Sequence, residues 1–106
     1  MKITVIAGII LAGSVAPSAA LAAGDVAAGE DKAYTCVGCH GTPNMSNVYP
    51  GYKAPLIGGQ SSAYIVNALK AYADGSRWHP TMQAQAKSMT DQDMADIAAY
   101  LETLGK

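Results

Sequence analysis

The chain has 106 residues, two cysteines, six Tyr, one Trp and no Phe, and a formal net charge of −1 near neutral pH. That length holds one domain. The near-neutral balance, with no basic run to neutralise phosphates, argues against nucleic acid as a partner.

The front of the chain, "MKITVIAGIILAGSVAPSAALAAGD", opens with Lys2, runs apolar from Ile3 to about Val15 and turns to small residues around Pro17 and Ser18. This is the layout of a secretory signal peptide. Ala20-Leu21-Ala22 fits the small-x-small cleavage rule and places the cut after Ala22, giving a leader over 1–22 and a domain over 23–106. The apolar run is shorter than the roughly 20 residues that a membrane-spanning helix needs. Losing Lys2 with the leader brings the charge to about −2 and leaves about 84 residues, a size at which an apolar core alone is marginal. A chain this short of large apolar side chains would gain from a bulky apolar cofactor.

"DVAAGEDKAYT", 25–35, favours a short helix with Asp25 as N-cap and Val26, Ala33 and Tyr34 available to pack. From Gly41 to Gln60 three prolines and several glycines indicate loop. A second helix is expected from about Ser61 to Ala73, where Tyr64, Ile65, Ala68, Leu69 and Tyr72 recur at helical spacing before Asp74-Gly75 ends it. "GSRWHPTM" then reads as a loop leading to Met82. In the last helix Thr90 and Asp93 form a capping-box start, and Met94, Ile97, Ala98, Leu101 and Leu104 line one face. With no strand pattern, the expected fold is all-α, three to four helices joined by long loops, which in so small a domain hold or cover something.

The chemistry is concentrated in "CVGCH", Cys36 to His40. A zinc site would need two further ligands, and His79 is the only other histidine. A thioredoxin-like redox pair belongs in a strand-helix-strand context that this pattern lacks. A plain disulfide, the bland expectation for an exported protein, would close a very small loop and give His40 no role. Covalent haem attachment, for which C-x-x-C-H is the signature, uses all three side chains. The Cys36 and Cys39 thiols add to two vinyl groups of one porphyrin, and His40 supplies an imidazole to the iron. A haem also enlarges the core, so the chain without it is expected to be largely unfolded.

Met45, Met82, Met89, Met94 and His79 are the candidates for the other face of the iron. Met94 belongs to the apolar face of the last helix, Met89 lies just before the Thr90 cap, and Met45 follows the attachment site too closely to reach round the porphyrin with ease. Met82 is favoured: it lies in the loop before the last helix, Pro80 favours an extended approach, and a loop thioether reaches iron without breaking a helix. His/Met ligation raises the reduction potential relative to two histidines.

With these residues in place, the stretches "GDVAAGEDKAYTCVGCHG", "PLIGGQSSAYIVNALKAYADGSR", "HPTM" and "MTDQDMADIAAYL" resemble a class I cytochrome c, most closely the short single-haem periplasmic kind related to the halves of the dihaem cytochromes of the c-four group. The resemblance implies the class I cytochrome c fold, wrapped around one covalent haem c and its iron. It also implies His40 and Met82 as axial ligands, the Pro55 carbonyl as hydrogen-bond acceptor for His40, and Ile57 packed on the haem. It further implies a crossing of the first and last helices at Gly29 against Tyr100. Arg77 and Gln60 are candidates to bond a propionate, and Trp78 to cover it or the haem edge. The stretch Met45 to Lys53 is a weak match.

The expected function is a soluble periplasmic electron carrier, not an enzyme. It would work as a monomer between redox protein partners, in peripheral contact with membrane redox complexes, and dock briefly through a small patch around the Cys36 to His40 edge. Two alternatives are a haem subunit of a periplasmic dehydrogenase or sulfur-compound oxidase complex, and a gas-binding haem protein with a displaced sixth ligand.

Overall fold

The computed structural model of the protein describes residues 23–43 and 54–105, together with Gly8 and Gly13. The leader boundary at Ala22 and the stretch Met45 to Lys53 lie outside the described residues. Five helices form among them: α1 (Val26–Lys32), α2 (Tyr34–His40), α3 (Ser62–Asp74), α4 (Pro80–Lys87) and α5 (Asp91–Thr103). None is long and apolar enough to cross a membrane.

Three helix starts follow local chemistry. The Asp25 carboxylate accepts from Ala28 N–H, Ser61 Oγ from Tyr64 N–H, and Thr90 Oγ1 from Asp93 N–H at 3.1 Å, while Asp93 accepts in return from Thr90 N–H at 2.9 Å. Gly75, at φ 87°, ends α3 in the left-handed conformation that glycine takes without steric cost.

Three expectations are corrected. The single helix expected over 25–35 is two: the chain turns at Ala33 and continues as α2 through both cysteines to His40, so the attachment motif is itself helical. Val26 and Tyr34 are exposed, and Ala33, fully buried, makes the packing contact instead. Met82 is not in a loop but in the first turn of α4. Pro80 occupies the first turn, where its missing N–H costs nothing, and His79 before it is extended (φ −166°, ψ 108°) and caps the helix.

α1 packs across α5, α3 lies against both α4 and α5, and α2 contacts no helix except α1. The α1–α5 crossing is made by glycine. A Cβ on Gly29 would collide with the Asp96 carbonyl and stand 2.9 Å from Tyr100 Cβ, and a Cβ on Gly24 would collide with the Ala95 carbonyl. At the other end of α5, Gly59 (φ 86°) donates its N–H to the Leu101 carbonyl at 2.8 Å and packs backbone to backbone on Gly105.

The crossing carries one buried acid. Asp96, 3% exposed, accepts from Asp25 N–H (2.8 Å), Lys32 Nζ (2.6 Å) and Gln92 Nε2 (2.8 Å). Lys32 also pairs with Asp93 at 3.0 Å. The Asp25 amide first, then Lys32 and Gln92, hold the Asp96 carboxyl down to about 2.

Two outcomes follow from this packing. Gly29→Leu should lower stability by about 3 kcal/mol or more through overpacking at a backbone contact, read as a lower urea midpoint of the holoprotein. Because the Asp96 carboxyl titrates near 2 when folded and near about 4 when unfolded, its stabilisation should be complete above pH ~4 and lost as pH falls toward about 2. In acid-titration unfolding, Asp96→Asn should lower stability at neutral pH and flatten that acid limb.

Candidate functional site

The principal cavity, about 650 Å³, is framed by α2, the segment 54–60, α3, the start of α4 and the inner face of α5. The α3 residues whose spacing marks an apolar face, Tyr64, Ile65, Ala68, Leu69 and Tyr72, form one wall; Ile97 and Leu101 of α5 join them. The helices thus surround a space instead of filling it. Among the described residues the fully buried side chains are small: of the large ones only Leu101 is less than 2% exposed.

α2 supplies Cys36, Cys39 and His40 to this cavity. At i and i+3 the two thiols share one side of the helix, and the imidazole follows at its last residue. Burial pushes the Cys36 thiol up. The described elements are all helical, so the strand-helix-strand context of a thioredoxin-like pair is not supplied around these thiols. Among the described residues no group of three His, Cys, Asp or Glu side chains could hold a metal ion, so a zinc set is not assembled either.

His40 is 8% exposed, and its Nδ1 lies 2.6 Å from the Pro55 carbonyl. A carbonyl only accepts, so Nδ1 carries the proton and the lone pair is on Nε2, the nitrogen left to serve as a ligand. Ile57, half-buried, lies two residues further along the same wall. Met82 enters from α4, half-buried, its N–H donating to His79 Nδ1 at 3.3 Å. α2 and α4 both line the cavity yet do not touch each other, so the space separates the His40 helix from the Met82 helix. Met89 also reaches the lining, whereas Met94 is buried in the helical core; Met45 lies outside the described residues.

A single haem fits what is present. The volume is within the roughly 300–1,000 Å³ of small-molecule and cofactor sites. The walls are largely apolar, and one rim offers two thiols and an imidazole with a fixed tautomer. Sequence reasoning missed α4, because "PTMQAQAK" has too few apolar residues for a visible stripe, although the extended residue before Pro80 was a readable start signal. It also missed Asp96, an acid inside the apolar face of α5 whose partners come from 71 and 64 residues away.

Helices enclosing a cavity rimmed by C-x-x-C-H define a c-type haem protein of the class I fold. The family model described as cytochrome c matches residues 26–105, and the chain belongs to that family. Its closer kinship is with single-haem members and with the halves of cytochromes c4. It is 46% identical over 83 residues to cytochrome c-554(548) of Halomonas halodenitrificans, covering 74% of this chain and 94% of that one. It is 41% identical over 79 residues to cytochrome c4 of Pseudomonas aeruginosa, covering 74% of this chain but 38% of the relative. It is 39% identical over 79 residues to the cytochrome subunit of sulfide dehydrogenase of Chlorobaculum tepidum, covering 74% of this chain and 67% of that subunit. This chain therefore spans under half of its c4 relative. As a cytochrome c it carries covalent haem c, with iron, and serves electron transfer.

Because the cavity occupies the place of a core, haem-free protein, obtained with Cys36→Ser and Cys39→Ser, should show no cooperative thermal transition by far-ultraviolet circular dichroism. A sharp melt of that variant would contradict this reading of the cavity.

Proposed function

We propose that the chain is a soluble periplasmic carrier of single electrons between larger redox proteins, with Cys36 and Cys39 as the thioether anchors and His40 and Met82 as the axial iron ligands. The observation that carries this reading is the placement of the His40 ring and the Met82 side chain on one cavity, borne by two helices that the cavity keeps apart. The haem, when bound, supplies a one-electron couple. This chain's residues set its surroundings. The Pro55 carbonyl orients the His40 ring and makes its Nε2 a stronger donor. Met82 offers a soft thioether that favours the ferrous state. Ile57, Ile65 and Leu69 keep water from the interior. The leader expected over 1–22 supports export to the compartment where haem attachment is completed.

With few basic side chains, docking depends little on charge steering, and the electron-transfer rate should fall only mildly with ionic strength. A steep fall would count against a neutral docking patch.

A second reading is favoured by one relative: the sulfide dehydrogenase protein is named as a cytochrome subunit, and this chain matches two thirds of it. Under that reading the chain works as the haem subunit of a larger dehydrogenase or sulfur-compound oxidase complex. Co-purification of the native protein with a stoichiometric large partner would favour it over the free carrier.

The optical spectrum of the holoprotein tests the ligand set. It should be low spin in both oxidation states, with the weak thioether-to-iron band when oxidised and no response of the reduced form to carbon monoxide. Met82→Ala should become high spin and bind carbon monoxide. If the unmutated protein binds it readily, the iron has an open face and the carrier reading gives way to gas binding.

A further inference from the structure

On the function proposed above, the sixth ligand is Met82, and the helix that bears it has little to hold it. Among the described residues α4 packs on α3 and on no other helix, and its only buried residue is Ala86, a full turn beyond Met82. Its eight residues are too few to hold a helix by propensity alone. The first turn, where Met82 sits, therefore depends on its cap.

That cap is His79. Its Nδ1 accepts from Met82 N–H at 3.3 Å, and its own N–H donates to Gln83 Oε1 at 3.3 Å, while Gln83 N–H donates to the His79 carbonyl at 2.8 Å. Donors left over at the helix start are thus satisfied reciprocally, as in a capping box, with Gln83 standing one position beyond the usual glutamate or glutamine. Pro80, between cap and ligand, has no N–H to satisfy and fixes the backbone of the first helical residue. Serine caps α3 and threonine caps α5, and histidine takes that place only at the helix that carries Met82. The donor it satisfies is the amide of the ligand residue itself.

The same bond decides the chemistry of the ring. An amide N–H only donates, so Nδ1 of His79 gives its lone pair to Met82 N–H and the ring proton is on Nε2. His40 holds the opposite tautomer, with its proton on Nδ1 and Nε2 free. Both histidines border the cavity, and of the two only His40 offers it an unprotonated Nε2. His79 is thereby turned from a rival of the thioether into its support.

We infer that His79 is the positioning residue for the axial thioether: its cap on the Met82 amide sets the first turn of α4 and with it the direction from which the Met82 side chain enters the cavity. It acts through the backbone of the ligand residue and not on the iron.

The test measures how tightly the oxidised holoprotein binds added imidazole, which competes with the thioether for iron. The unmutated protein is compared with His79→Ala, His79→Asn, Gln83→Ala and Ser61→Ala. His79→Ala, losing the acceptor, should bind imidazole about three- to tenfold more tightly and show a weaker thioether-to-iron band. His79→Asn, whose side chain is a good cap, should stay within about twofold of the unmutated protein. Gln83→Ala removes only the return bond and should tighten imidazole binding by less; it decides the matter if His79→Ala takes up no haem. Ser61→Ala removes the cap of α3, which carries no ligand, and should lower the thermal midpoint without changing imidazole affinity. An unmoved affinity in His79→Ala or, where that variant takes up no haem, in Gln83→Ala overturns the assignment. So does an equal rise in Ser61→Ala or a failure of asparagine to restore the affinity, and His79 is then an ordinary helix cap. The unmutated spectrum keeps the two proposals apart. Without the thioether band Met82 is not the ligand and this inference falls with that reading, whereas a normal band with unmoved variants removes only the role of His79.

Discussion

The contact on which the rest of this structure depends is the meeting of α1 and α5 with almost nothing between them. Gly24, just before α1, and Gly29 within it let the backbone lie on the carbonyls of Ala95 and Asp96, and Asp96 turns its carboxylate back to the start and end of α1. A buried acid is costly unless it is satisfied, and here an amide, an ammonium and a carboxamide satisfy it at once. The two ends of the domain are thereby fixed to each other without drawing on large apolar side chains, of which the chain has few. α2, which follows α1 after a single turn residue, is left with no helical partner but α1 and presents its thiols and imidazole to the cavity.

From that frame comes an unusual division of labour among the apolar residues. Although α3 packs on α4 and α5, α3 and α5 also give apolar residues to a common space, and among the described residues the protein core proper is a thin seam of Ala33, Ala86, Ala98 and a few larger neighbours. The haem of the cytochrome c family therefore counts as a structural component of this domain as well as its redox centre. The same economy fits electron transfer. Walls held by helices and a histidine held by a backbone carbonyl shift little when one charge is added or removed.

What could be read from the residues follows the strength of their local signals. α3 and α5 were legible because five apolar residues in each recur at helical spacing between clear start and stop residues. The attachment motif was legible because three reactive side chains in five positions leave few other uses. The break at Ala33 was not, since neither proline nor glycine marks it and both flanking stretches favour helix. α4 was not, since it is polar nearly throughout and owes its first turn to Pro80 and the His79 cap. Asp96 was hidden for another reason: its partners are distant in sequence, and an acid among apolar neighbours gives no sign of what will satisfy it. The Gly29 and Tyr100 crossing came from family resemblance, and the closeness of the backbones supplies its physical cause.

α5 also sets a dimension. Near its start Asp96 holds α1, which continues into the helix that ends at His40; near its end the Leu101 carbonyl receives Gly59 N–H, fixing the segment that carries the Pro55 carbonyl. The bond from His40 to Pro55 closes this circuit. One residue inserted or removed between Asp96 and Leu101 would rotate one anchor against the other by about 100° and shift it by about 1.5 Å. The spacing along α5 therefore works as a tie rod of fixed length.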